Sequence, residues 1–184
     1  STIYLPDKKR PMLPVILSEN LCSLKEGVDK IALALDIRIN HKYEIIDMSY
    51  KNVIINIAKN KVYESEELLN NISYVKALEV VQKLNQKTKL VNKVTSSKEV
   101  VNYLMLTYNK HAGSIMIENH NGIFRGTKNN LISSTDENAP EELAEFLNIW
   151  KGMSGEYTAF DNIKPHLLLK FDSYIHITSP IRRL

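Results

Sequence analysis

The chain has 184 residues, enough for one domain with a core of its own. Its composition, 43% apolar and 24% charged, excludes a disordered chain, and its single cysteine, Cys22, excludes a disulfide framework or a cysteine-based metal site. The net charge of +3 is too small to argue for nucleic acid by itself, and no apolar run reaches the length a membrane span needs.

Residues 1–14 hold Pro6, Pro11 and Pro14 around Lys8-Lys9-Arg10, which predicts an extended segment with turns, because each proline fixes φ and removes a donor. Residues 31–39, IALALDIRI, are rich in β-branched side chains and predict a strand. A turn at Asn40-His41 leads to a second strand over 42–48, and the apolar run 52–57 predicts a third, all antiparallel.

The period then changes from two to that of a helix. Val75, Leu78, Val81 and Leu84 predict a helix over 74–87. Ser96-Ser97 followed by Glu99 reads as an N-cap with an acid in the first turn. The helix that follows should bury Val100, Val101, Leu104, Met105, Tyr108, Ala112, Ile115 and Met116 on one face. Asn119-His120-Asn121-Gly122 should end it with a left-handed cap. Pro140 with Glu141-Glu142 predicts another helix, with Leu143, Phe146, Leu147 and Trp150 on its apolar face and Gly152 and Gly155 breaking it. The tail carries Leu167–Leu169, then Tyr174-Ile175-His176-Ile177 as a strand, and closes on Thr178-Ser179-Pro180-Ile181-Arg182-Arg183-Leu184. Strands first and helices after predict an α+β fold with a mixed, mostly antiparallel sheet surrounded by helices. Residues 1–184 read as a single partial domain with both ends cut.

Four segments in order resemble the RNase II / RNase R (RNB-domain) family of 3′-to-5′ exoribonucleases. Tyr4-Leu5-Pro6-Asp7 through Pro11-Met12-Leu13-Pro14 and Leu21-Cys22-Ser23-Leu24 is similar to the family's "VYLPDRxxPMLPxxLSxxLCSL". Lys61-Val62-Tyr63-Glu64 resembles "LTYxxV". Met105-Leu106 and Asn109 with Gly122-Ile123-Phe124-Arg125 resembles "EFMLLAN…ALYR". His166 through Arg183 resembles "HFALGLxxYTHFTSPIRRY".

The resemblance implies the RNB-type catalytic core, single-stranded RNA as substrate, and Mg2+ or Mn2+ held by four aspartates that lie upstream of the first block in the family. Asp7, Asp29, Asp36 and Asp47 lack that clustered spacing, so the chain alone is expected to be inactive. Arg182 is the candidate catalytic residue. Pro180 stiffens its approach, a guanidinium forks two phosphate oxygens, and a cation at a helix start is unfavourable without such a partner. The resemblance makes Tyr63 the clamp on the 3′-terminal base and Tyr4 a second aromatic near the RNA, with Arg125 and Arg183 as candidate phosphate contacts. His111, His166 and His176 have no spacing that makes a metal set, and His176 reads as structural.

The sequence departs from the family at two places. Asn102-Tyr103 stand where the family has glutamate before its "FML", and Leu184 stands where it has an aromatic. The alternative is therefore an inactive RNB-like RNA-binding or structural module within a larger, possibly viral, assembly. Flanking cold-shock or S1-type domains are the expected neighbours. A cytoplasmic, nuclear or virion-interior location is the expected setting, with no membrane partner.

Overall fold

A computed structural model describes residues 3–11, 13–127 and 155–178, with Ile3, Tyr4 and Lys9 described by backbone alone. The helix expected from Pro140, and Ser179 through Leu184, lie outside the described residues. The chain divides into two compact units, residues 1–108 with 178–184, and residues 109–177.

In the first unit, β1 (Ile3–Tyr4) pairs antiparallel with β2 (Lys9–Arg10), and the Leu5 N–H closes the turn on the Lys8 carbonyl at 2.8 Å. A single wide helical turn, Ile16–Leu21, follows, in which the Cys22 N–H reaches back to the Leu17 carbonyl at 2.9 Å. The buried Lys30 keeps its ammonium satisfied by donating to the Asn20 carbonyl at 2.7 Å.

Strands β3 (Asp29–Ile39) and β4 (Ile45–Asn56) form one long antiparallel hairpin with a register shift at Arg38/Ile39. The two strands expected at 42–48 and 52–57 are thus a single strand. Ser49-Tyr50-Lys51, polar enough to read as a break, continue the ladder opposite Asp36, Leu35 and Ala34. Tyr50 earns that place by donating to the Tyr108 carbonyl at 2.5 Å, while Tyr108 donates to the Leu33 carbonyl at 2.9 Å. The hairpin turn is held by Asn40, whose side-chain oxygen accepts the N–H groups of Lys42 and Glu44, both at 2.9 Å.

Helix α1 (Glu66–Leu69) is one turn, capped by Ser65. Helix α2 (Ile72–Thr88) starts on Asn71, whose side chain accepts the Tyr74 N–H at 3.0 Å, and ends on Lys89 in the left-handed region. Its inner face, Val81 and Leu84, packs with Val94, Val100 and Tyr103 into the core of this unit. Val75, at the edge of the expected apolar stripe, is exposed.

Helix α3 (Ser97–Glu118) gives its first three turns to the first unit and the rest, from Asn109, to the second. It begins with a reciprocal cap. The Ser96 hydroxyl accepts the Glu99 N–H at 3.4 Å, and the Glu99 carboxylate accepts the Ser96 N–H at 2.8 Å. It ends with the Asn121 N–H on the Met116 carbonyl and the His120 N–H on Ile117, with His120 in the left-handed region at φ 51°. Its buried side differs from the expected face: Val101 and Leu104 are exposed, whereas Tyr103, Leu106, Thr107 and Asn109 are buried. Polar groups sit inside because they are satisfied there. The Tyr103 hydroxyl meets Thr88 Oγ1 at 3.1 Å, and Thr107 donates to the Tyr103 carbonyl at 2.9 Å.

In the second unit β5 (Ile123–Thr127) pairs antiparallel with β6 (Gly155–Ala159). Gly155, expected to break a helix, opens this strand. Phe124 and Tyr174 are its largest fully buried apolar side chains. Residues 174–177, expected as a strand, belong to none, although the Arg125 N–H bonds the Tyr174 carbonyl at 2.7 Å. Gly122 holds φ at +116°, and a Cβ there would stand 3.0 Å from Ile175 Cδ1. Among the described residues all three ladders are antiparallel and helices accompany them, which is the expected α+β class. Among the described residues, no helix is long and apolar enough to cross a membrane.

Candidate functional site

Tyr63 lies between β4 and α1 on a turn made by Val62–Ser65, with the Ser65 N–H on the Val62 carbonyl at 3.3 Å. Its ring is 50% exposed, available to a planar partner. The backbone around it is tied down on both sides. Ahead of it, Lys59 and Lys61 both bond the Glu67 carboxylate. Behind it, Glu64 sits at φ 56° and its Oε1 accepts the Ser97 N–H at 2.6 Å and the Ser97 hydroxyl at 2.5 Å. Those two bonds hold the Glu64 carboxyl below its ordinary pKa, the hydroxyl contributing most. Ser65 then caps α1 through the Leu68 N–H at 3.3 Å. Tyr4 stands in β1, where the backbone alone is described.

Arg125 stands in the second unit, opposite Tyr157 in the β5–β6 register. Its stem crosses Gly155 so closely that a Cβ there would lie 2.6 Å from Arg125 Nε. That Nε is buried and has no hydrogen-bond partner among the described residues. Tyr157 beside it is exposed.

The same unit holds a polar cluster built on Asn109, which is fully buried. Its amide donates to the Tyr174 hydroxyl at 2.9 Å, and its oxygen accepts the Ile177 N–H at 3.0 Å. The Tyr174 hydroxyl lies 3.4 Å from His176 Nδ1, and the Tyr174 ring packs edge-on against both His166 and His176. His166 Nδ1 meets Thr127 Oγ1 at 3.2 Å, and burial, then the Arg125 cation, lowers its pKa. Of the two histidines, His166 is buried. Asn109 came into the sequence reading only as a motif letter, because its partners lie far down the chain.

Arg182 and Arg183 lie outside the described residues. Tyr63 and Arg125 belong to different units, and each is placed within its own.

The divalent metal implied by the family resemblance does not fit the described acids. Asp36 is paired with Lys51 at 2.6 Å, Asp47 with Arg38 at 2.8 Å, and Asp7 with Lys8 at 3.7 Å, while Asp29 accepts from Asn56 at 2.7 Å. Among the described residues no three His, Cys, Asp or Glu side chains converge on a point that could hold an ion.

These features define an α+β domain with an exposed aromatic on a braced turn. The RNB domain family model matches residues 1–89, just under half of the chain, which include β1, the long hairpin and the Tyr63 turn. Human exosome complex exonuclease RRP44 is 37% identical over 68 residues, 37% of this chain and 7% of that protein. Exoribonuclease 2 of Psychromonas ingrahamii is 54% identical over 44 residues, 24% of this chain and 7% of that protein. The chain therefore spans a small part of the curated relatives it matches. The structure of Mycoplasma genitalium RNase R in complex with ribose methylated single-stranded RNA matches the whole of this chain with 39% of its own, at a TM-score of 0.67 and 18% identity. The fold is that of RNase R.

Proposed function

We propose that this chain forms the RNA-gripping part of a hydrolytic exoribonuclease that degrades single-stranded RNA from its 3′ end to nucleoside 5′-monophosphates. The observation that carries this reading is the RNB match over residues 1–89, which includes Tyr63 on its braced, half-exposed turn. A ring held in that way stacks on any base with little sequence preference, as an enzyme that removes one nucleotide after another requires. Tyr4 would flank the RNA, Arg182 would fork the scissile phosphate where charge builds up, and Arg183 and Arg125 would contact the backbone. That the relative from Mycoplasma genitalium was solved with RNA supports RNA as the ligand class.

Mg2+ or Mn2+, when bound, would activate the attacking water, and its carboxylate ligands would come from residues this chain does not supply. The chain's own side chains orient the terminal nucleotide and neutralise its phosphate. Cold-shock or S1-type domains are the proposed neighbours.

The test is the complete protein that carries this chain, incubated with 5′-labelled single-stranded RNA and Mg2+ or Mn2+. Stepwise shortening from the 3′ end is expected, and Arg182→Ala is expected to lower kcat about 100-fold or more, the scale of losing one transition-state donor. Full-length RNA in the wild type, or an Arg182→Ala protein with unchanged kcat, would overturn the reading. Asn102-Tyr103 in place of the family's glutamate favours a second reading, an inactive RNA-binding module. It predicts RNA binding with no products under the same conditions.

A further inference from the structure

We propose that Glu64 is a positioning residue for the base clamp: together with Ser97 it latches the Tyr63 turn to the start of helix α3, so that the tyrosine ring is set in place before RNA arrives. This rests on the reading of Tyr63 as the clamp.

Glu64 occupies the left-handed region, at φ 56°, which side chains other than glycine rarely adopt. Such a conformation persists only when the surroundings hold it. Ser97 does so, donating its N–H and its hydroxyl to the carboxylate, and its oxygen in turn accepts the Glu64 N–H at 3.3 Å. Ser97 is 3% exposed, so the anchor point is itself fixed. The positive end of the α3 dipole adds to the hold on an anion.

The helix does not need Glu64 in order to start. Glu99 already accepts the N–H groups of Thr95 and Ser96, at 2.5 and 2.8 Å, and completes the cap within the helix's own sequence. What Glu64 adds is a direct attachment of the turn to the start of α3. The attached turn carries Tyr63, which is half exposed. A clamp fixed in advance binds without the ordering cost that a mobile side chain would bring.

The test compares two 5′-fluorescein single-stranded oligoribonucleotides, identical except that one ends in an abasic 3′ residue. Anisotropy titrations of the 184-residue chain give the ratio of the two affinities, from which contacts to the backbone cancel. The unsubstituted chain should prefer the base-bearing end about five-fold or more, the lower end for one base–aromatic stack. Tyr63→Ala should bring the ratio to about one. Glu64→Ala and Ser97→Ala should each lower it at least about two-fold while leaving the abasic affinity unchanged, and Glu64→Gln, which keeps an acceptor oxygen, should restore most of it.

Thermal melts check that each variant folds. Should Glu64→Ala not fold, Ser97→Ala carries the comparison, since it leaves Glu64 and the Ser97 N–H in place. A ratio near one in the unsubstituted chain, or one that survives Tyr63→Ala, overturns the clamp reading itself. A ratio lost in Tyr63→Ala but intact in Glu64→Ala and Ser97→Ala overturns the latch alone. So does a loss that is equal for both probes, because it would mark Glu64 as a general stabiliser of the fold.

Discussion

Asn109 illustrates how one buried polar side chain can organise a segment far from it in the chain. Both ends of its amide are used, one on the Tyr174 hydroxyl and one on the Ile177 N–H. Asn109→Ala would remove the partner of the Ile177 N–H and one partner of the buried Tyr174 hydroxyl, and a loss of about 1–3 kcal/mol in denaturant unfolding is expected. Glu64 and Glu99 make the opposite kind of prediction, since both are surface acids whose pKa values are lowered by hydrogen bonds, to Ser97 and to Thr95 and Ser96. Their folded pKa lies below the unfolded one, so their contribution is complete above about pH 4.5, the ordinary glutamate value. It drains away as pH falls from there through the folded pKa. The Tm should therefore drop on acidification in that window, and Glu99→Gln should flatten the drop. At this scale Tyr63 was legible, because an aromatic in a familiar motif announces itself. Its brace was not, because Glu64 and Ser97 lie 33 positions apart and nothing local ties them.

Among the elements, α2 was read almost to its ends, because four apolar residues at helical spacing leave no alternative period. Leu84, the last residue of that stripe, is buried with Val81 and Tyr103. Leu84→Ala is expected to cost about 2–5 kcal/mol by chemical denaturation, the range for truncating a packed leucine. The hairpin was harder. Ser49-Tyr50-Lys51 interrupt its apolar pattern, and only the bonds that Tyr50 and Tyr108 make reveal why polar side chains continue a strand there. The same hairpin carries an unexpected exposed pair, Ile31 and Ile54, directly opposite one another at 85% and 74% exposure. Replacing both with threonine keeps β-branching and removes no packing, so stability should change by no more than about 0.5 kcal/mol. A larger loss in a thermal melt would show that the pair is covered in solution. Helix α3 repeats the lesson, because its cap was legible in Ser96 and Glu99 while its buried face was not. Tyr103 and Asn109 turn inward where partners on other segments satisfy them, and Thr107 does so by donating back to the Tyr103 carbonyl of its own helix.

For the whole molecule, Asp29, Asp36 and Asp47 are engaged in local pairs, and no metal-holding cluster forms among the described residues. On the proposed reading, in which the metal ligands lie outside this chain, the 184-residue chain alone should release no nucleotides from RNA with Mg2+ or Mn2+, whereas the complete protein should. Thin-layer or gel analysis of labelled products checks both, and metal-dependent hydrolysis by the isolated chain would contradict the assignment of the ligands elsewhere. The amino-acid order by itself determined the α+β class, most helix limits and the RNB resemblance, later matched over residues 1–89. It could do so because hydrophobic period, caps and motif order are local properties of a chain. Only the tertiary structure decided which polar groups go inside, that two expected strands are one, and that the Tyr63 turn is braced by α3. Those outcomes depend on hydrogen bonds between residues far apart in sequence, which form only once the segments that carry them have been packed together.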